Sequence, residues 1–154
     1  MRIVITYGTF DCFHYGHYNL LKRAKDIGDY LIVGVSSDFM CEKKGKIPMF
    51  DEKYRMEVVS NLRFVDEVIL EESMEQKVSD VIKKHVDVFV LGDDYKELFP
   101  KMKECNQLIE LGCQIIFLER TPDISSSSLR EKKAKQALLD ENKNSIHNLT
   151  KGNK

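Results

Sequence analysis

Strand-like runs alternate with helix-like ones along most of the chain, and no two strand-like runs are joined by a hairpin turn. A strand that returns to its sheet through a helix enters parallel to the one before it, with a right-handed crossover. The predicted fold class is therefore α/β, a doubly wound five-stranded parallel sheet with helices on both faces. The strand-like runs are Ile3-Val4-Ile5, Tyr30 to Val35, Val65 to Leu70, Asp87 to Leu91 and Gln114 to Leu118. Of these, Tyr30 to Val35 is apolar without a break, as a central strand is when both its faces are covered.

The segments between carry apolar residues at helical spacing. Leu20, Leu21, Ala24 and Ile27 lead to a stop at Gly28; Tyr54, Val58, Val59 and Leu62 follow a start near Asp51; Val78, Val81, Ile82 and His85 form a third set. Leu98, Met102, Cys105 and Ile109 end at Gly112, and a last helix is expected from Ser125 to about Leu139. Residues 36–50 read as a polar loop. Residues 140–154 lack apolar periodicity, so the expected organisation is one domain over 1–139 and a flexible tail over 140–154.

In such sheets ligands bind beyond the carboxyl ends of the strands, where the strand order reverses. Segments 8–17, 36–46, 92–95 and 120–128 all follow strands and are expected to converge there. With a net charge of -1 over 154 residues, the chain is not built for bulk nucleic-acid or membrane-surface binding, and any anion site needs locally placed cations. Met1 leads straight into a strand pattern with no signal peptide, and no apolar run approaches the ~18 residues of a membrane span. A cytoplasmic location without membrane insertion is expected. Cys12, Cys41, Cys105 and Cys113 form no C-x-x-C pair and no metal spacing, and are expected to be reduced.

The richest chemistry lies in Gly8-Thr9-Phe10-Asp11-Cys12-Phe13-His14-Tyr15-Gly16-His17, between the first strand and the first helix. His14 and His17 fall on one face of the first helical turn, where unpaired N–H groups and the positive end of the helix dipole attract phosphate. Gly16 would let that phosphate approach the backbone. Read alone, the pair could equally be a surface accident or half of a metal site, although two histidines are too few for zinc. Lys44 and Lys46, two apart in an extended loop, would direct both ammonium groups at one anion; the plainer alternative is a solvated charge run. Arg120-Thr121 followed by Ser125 to Ser128 would form a second anion cradle at the start of the last helix, or no more than a cap and a loop.

These residues together resemble the cytidylyltransferase family. The lead-in Gly8-Thr9-Phe10-Asp11, the H-x-G-H at His14-Tyr15-Gly16-His17 and Arg120-Thr121-Pro122-Asp123-Ile124-Ser125-Ser126-Ser127, set against the family's R-T-E-G-I-S-T-T, carry the likeness. Tyr54-Arg55, Arg63 to Val68, Glu75-Gln76-Lys77 and Asp87 to Asp94 extend it to about residue 131. The resemblance implies a Rossmann-like nucleotidyltransferase in which the phosphate of an alcohol phosphate attacks the α-phosphorus of CTP, giving a CDP-alcohol and pyrophosphate. Glycerol 3-phosphate is the acceptor it points to, with phosphoethanolamine and phosphocholine as alternatives. An adenylyltransferase and a non-catalytic nucleotide-binding module are the competing classes.

The same resemblance implies residue roles. His14, His17, Lys46 and Arg120 would be catalytic. Thr9, Phe10, Tyr15, Gly16, Asp94, Thr121, Ile124, Ser125, Ser126 and Ser127 would join them in binding CTP. Asp11, Lys44, Arg55 and Lys77 would serve the acceptor, and Arg63 and Asp66 would be supporting. A homodimer is implied, as is Mg²⁺ or another divalent cation held mainly by the triphosphate. Because the attacking phosphate is already ionised, no general base is needed, and catalysis reduces to in-line positioning and charge neutralisation. Two departures stand out: Met74 replaces a tryptophan, and Asp123, in place of glycine, is expected to turn away from the phosphates.

Overall fold

The structure, a computed structural model, describes residues 1–121 and 133–143. The chain divides into two compact units, residues 1–122 and 123–154. In the first unit the order is β1 (Ile3–Gly8), α1 (Tyr15–Ile27), β2 (Tyr30–Ser36), α2 (Asp38–Lys43), α3 (Glu52–Ser60), β3 (Glu67–Glu71), α4 (Gln76–Lys83), β4 (Val88–Gly92), α5 (Lys103–Glu110) and β5 (Gln114–Leu118). In the second, a helix covers 133–143 and so runs past the expected end at Leu139.

All strands are parallel, in the order β3-β2-β1-β4-β5. The chain steps outward from β1 through β2 to β3, then crosses back to β4 on the other side of β1. The order therefore reverses between β1 and β4, and the loops leaving these strands meet at that point. Successive strand residues face opposite ways. Val4, Leu31, Val33, Val88 and Val90 pack with Leu21 and Ala24 of α1 and Val59 of α3 on one face. Ile5, Ile32, Phe89 and Leu91 pack with Val81 of α4 and with Cys105 and Leu108 of α5 on the other. Cys41, Cys105 and Cys113 are buried free thiols.

Several sequence expectations are corrected. The segment read as a polar loop contains α2, whose N-cap Ser37 accepts the Met40 N–H and whose C-cap is Lys44. Gly45 then turns the chain at φ 74°, so Lys44 and Lys46 do not lie along an extended strand. Tyr54, Ile82, Leu98 and Ile109, assigned to apolar helix faces, are exposed. α5 begins only at Lys103, because Pro100 sits in a preceding 3₁₀ turn, Phe99–Lys101, and Met102 is extended. His85 leaves α4 in the left-handed region at φ 54° instead of lining that helix.

Candidate active site

At the amino end of α1 the two histidines cap the helix themselves. His14 is the N-cap, and its Nδ1 accepts the Gly16 N–H at 3.0 Å; His17 Nδ1 accepts the His14 N–H at 3.2 Å. This corrects the expectation that these N–H groups are left open to phosphate: two of them are used by the imidazoles. An imidazole that accepts at Nδ1 carries its proton on Nε2, so each ring is a neutral donor through Nε2. The rings stack with centroids 3.8 Å apart. Burial, and then the neighbouring His14 and Arg120, push the His17 pKa down to about 3 despite Asp11. Burial and Arg120 lower that of His14 as well. Tyr15, one residue into the helix, is exposed and stacks on Tyr18.

The turn before the helix is strained and locked from below. Phe10 has φ 53° and Cys12 φ 48°, a region that non-glycine residues rarely occupy, and such strain gathers at functional sites. Phe10 is buried, with its ring edge-on to His17 at 5.6 Å. It therefore supports the histidine from the core, and its side chain is not available for stacking on a base. A Cβ at Gly8 would come within 2.8 Å of that ring, which is why glycine stands there. Asp11, also buried, accepts the N–H groups of Met49 at 2.8 Å and Phe50 at 3.1 Å, pinning the loop that follows Lys46. Cys41 Sγ lies 3.9 Å from Thr9 Oγ1.

From the other side of the strand reversal, the end of β5 is seamed to α1. Arg23 donates to the Glu119 carbonyl at 2.9 Å, and Asn19 donates to Thr121 Oγ1 at 3.4 Å. Arg120 is thereby held near both histidines and contacts Asp94, just after β4, at 3.4 Å. Neither Asn19 nor Arg23 was picked out by sequence; their only mark is a helical spacing of four on α1.

The residues expected to serve the acceptor separate into two groups. Arg55 is 1% exposed and donates to the carbonyls of Phe50, Thr9 and Ser36 at 2.9, 2.8 and 2.7 Å and to Asp38 at 2.7 Å. With its guanidinium so occupied it is a brace between the ends of β1, β2 and α3, which corrects its expected place on the acceptor. Lys44 and Lys77 instead meet at one carboxylate, Glu71. Lys77 Nζ pairs with Glu71 Oε2, and Lys44 Nζ lies 3.9 Å from Oε1. Met74, the departure from tryptophan, brings its sulfur to 3.5 Å from Lys77 Nζ. Lys46 is exposed, with its N–H bonded to the Cys41 carbonyl at 2.9 Å.

Pro122, Asp123, Ile124 and Ser125 to Ser128 lie outside the described residues. Among the described residues there is no cluster of three or more His, Cys, Asp or Glu suited to a metal ion. None of the helices searched there is long and apolar enough to cross a membrane.

Similarity to known proteins is extensive. A family model described as Cytidylyltransferase-like matches residues 5–132. The chain is 45% identical over 131 residues to a glycerol-3-phosphate cytidylyltransferase of Bacillus spizizenii, an alignment covering 85% of this chain and 96% of that protein. It is 42% identical to the enzyme of the same name from Staphylococcus aureus, over 85% of this chain and 94% of that one. An FAD synthase of Thermoplasma acidophilum is 35% identical over 86% of this chain and 93% of its own. Among solved structures, a lipopolysaccharide core biosynthesis protein from Thermoplasma volcanium superposes with a TM-score of 0.63 at 33% identity, covering 79% of this chain and 97% of that one. With its parallel sheet, its histidine-capped helix and these relatives, the chain belongs to the cytidylyltransferase-like family.

Proposed function

We propose that this protein transfers CMP from CTP to glycerol 3-phosphate, giving CDP-glycerol and pyrophosphate. An oxygen of the acceptor phosphate forms a bond to the α-phosphorus while the bond from that phosphorus to the bridging β-phosphate oxygen breaks, and the electron pair leaves on pyrophosphate. The observation that carries this reading is the double histidine cap: two neutral Nε2–H donors on one helical turn, beside Arg120 and at the strand reversal. Preorganised donors of this kind stabilise charge developing on phosphate oxygens, and neutral ones do so at any pH where the substrate is ionised. Arg120 and Lys46 supply cations to the triphosphate, and Lys44 and Lys77 take the acceptor phosphate.

The Lys44 and Lys77 ammonium groups supply the positive charge that the acceptor phosphate needs. The names of the Bacillus spizizenii and Staphylococcus aureus relatives support glycerol 3-phosphate as that acceptor. Mg²⁺ fits as a companion of the triphosphate, since it keeps much of its water and binds substrate phosphates with few protein ligands. When bound it neutralises phosphate charge, and the chain's own part is to orient the substrates and donate hydrogen bonds. We assign the protein to the cytoplasm as a homodimer, the state that the family resemblance implies.

Pyrophosphate release measured with CTP or ATP against glycerol 3-phosphate, phosphoethanolamine and phosphocholine tests this function. CTP with glycerol 3-phosphate should exceed every other pair by at least about tenfold in kcat/KM, the effect of about 1.4 kcal/mol. Preference for ATP or for a cationic acceptor would overturn it.

A further inference from the structure

Glu71 has no role in the site read from the sequence, yet three elements deliver partners to its carboxylate. It ends β3, and its side chain is 1% exposed. Ser36, at the end of β2, donates its hydroxyl to Oε1 at 3.0 Å. Lys77 of α4 pairs with Oε2, and Lys44, the cap of α2, reaches to 3.9 Å of Oε1. The Glu71 carbonyl accepts the Ser37 N–H at 2.8 Å, fixing the start of α2 to the same residue. We propose that Glu71 is a positioning residue of the acceptor subsite, its carboxylate holding the Lys44 and Lys77 ammonium groups together so that both bind the phosphate of one acceptor molecule. The proposal rests on the reading of these lysines as acceptor ligands.

A lysine head on a four-carbon stem is a poorly fixed donor unless something orders it. Lys77 is ordered from three sides, by Glu71, by the Met74 sulfur at 3.5 Å and by the Tyr7 ring 4.8 Å below. Lys44 is exposed and reaches the same carboxylate from the end of α2. Stability alone does not explain the arrangement, since a buried ion pair is commonly no better than apolar packing of the same volume. Charge does. Burial drives Lys77 toward its neutral form and Lys44 pushes the same way, while Glu71 and, more weakly, Glu104 keep it charged. Glu71 thus maintains a cation where an anionic substrate needs one.

The test is steady-state pyrophosphate release with CTP and glycerol 3-phosphate for Glu71→Gln, Glu71→Asp, Lys44→Met and Lys77→Met. Glu71→Gln should raise the KM for glycerol 3-phosphate about tenfold or more, the scale of a lost charge-assisted hydrogen bond, and leave the KM for CTP within about twofold. In that variant the acceptor KM should also worsen with rising pH at a lower pH than in the wild type, because Lys77 loses the carboxylate that keeps it charged. Glu71→Asp keeps the charge but withdraws it by one methylene, so a smaller rise in acceptor KM is expected; it decides the matter should Glu71→Gln fail to fold. An unchanged acceptor KM, or equal rises for both substrates, overturns the proposal. If the lysine variants raise the acceptor KM and the Glu71 variants do not, only the role of Glu71 falls. If the lysine variants do not raise it either, the acceptor assignment itself falls.

Discussion

His14 and His17 stack face to face at the start of α1, 3.8 Å between ring centroids, and each spends its Nδ1 on a backbone N–H of the same turn. In the proposed reaction, helix capping and catalysis draw on opposite nitrogens of the same two rings. The cap fixes the tautomer, and the tautomer fixes which atom can meet a phosphate.

Stability should fall on mild acidification. The folded-state pKa of His17, about 3, lies below its unfolded value near 6.5, so between these values the unfolded chain binds a proton that the folded chain does not. His17 then adds stability that is complete above about pH 6.5 and is lost as pH falls toward 3, at up to about 1.4 kcal/mol per pH unit. The lowered pKa of His14 acts in the same direction. Thermal unfolding from pH 7 to pH 4.5 should show a smaller drop in His17→Asn than in the wild type. Equal drops would mean that His17 is not held neutral.

Gly8→Ala should impair catalysis without removing any group that touches substrate. The new Cβ would meet the Phe10 ring at 2.8 Å, and that ring supports His17. Overpacking of this kind costs about 1–3 kcal/mol. Displacing His17 should lower kcat at least tenfold, since small misplacements carry large rate penalties. Unchanged kcat would show that the Phe10 contact does not position the histidine.

Arg55 should behave as a structural residue. Arg55→Lys cannot reproduce a fork that serves three carbonyls and Asp38, and of those carbonyls Ser36's is buried and Thr9's and Phe50's are part-buried. A loss of about 2 kcal/mol or more is expected by urea unfolding. A fully stable variant with only a raised acceptor KM would instead return Arg55 to the acceptor.

Lys46→Ala should raise the KM for CTP, and Lys44→Ala that for glycerol 3-phosphate. Only Lys44 lies against Glu71, while Lys46 follows the turn at Gly45. Equal effects on both substrates in either variant would show that the two lysines share one phosphate.

The sheet was legible because Tyr30 to Val35 and the helix-spaced residues between strands leave little choice but parallel crossovers. Its chemical edge was legible for a related reason: any loop after a strand must lie there. α2 was hidden by its length, since six residues with Lys43 and Lys44 at the end read as a charged loop. Tyr54, Ile82, Leu98 and Ile109 misled because apolar character alone does not say which face is covered. Arg55 looked like an anion ligand because a buried arginine and a phosphate-binding one are spelled alike; only its four acceptors distinguish them. Glu71 had a faint signal, a carboxylate closing the apolar run Val68-Ile69-Leu70. Its meaning required Lys44 and Lys77, which are distant in sequence and adjacent in the fold.

The central claim, that the paired histidines stabilise charge on the phosphates during CMP transfer, is tested most directly by the rate of pyrophosphate release from CTP and glycerol 3-phosphate in His14→Ala and His17→Ala at saturating substrate. Each should lose roughly 10²-fold in kcat, the cost of removing one preorganised donor, with a smaller effect on the KM for CTP. Near wild-type turnover in either folded variant would contradict the account.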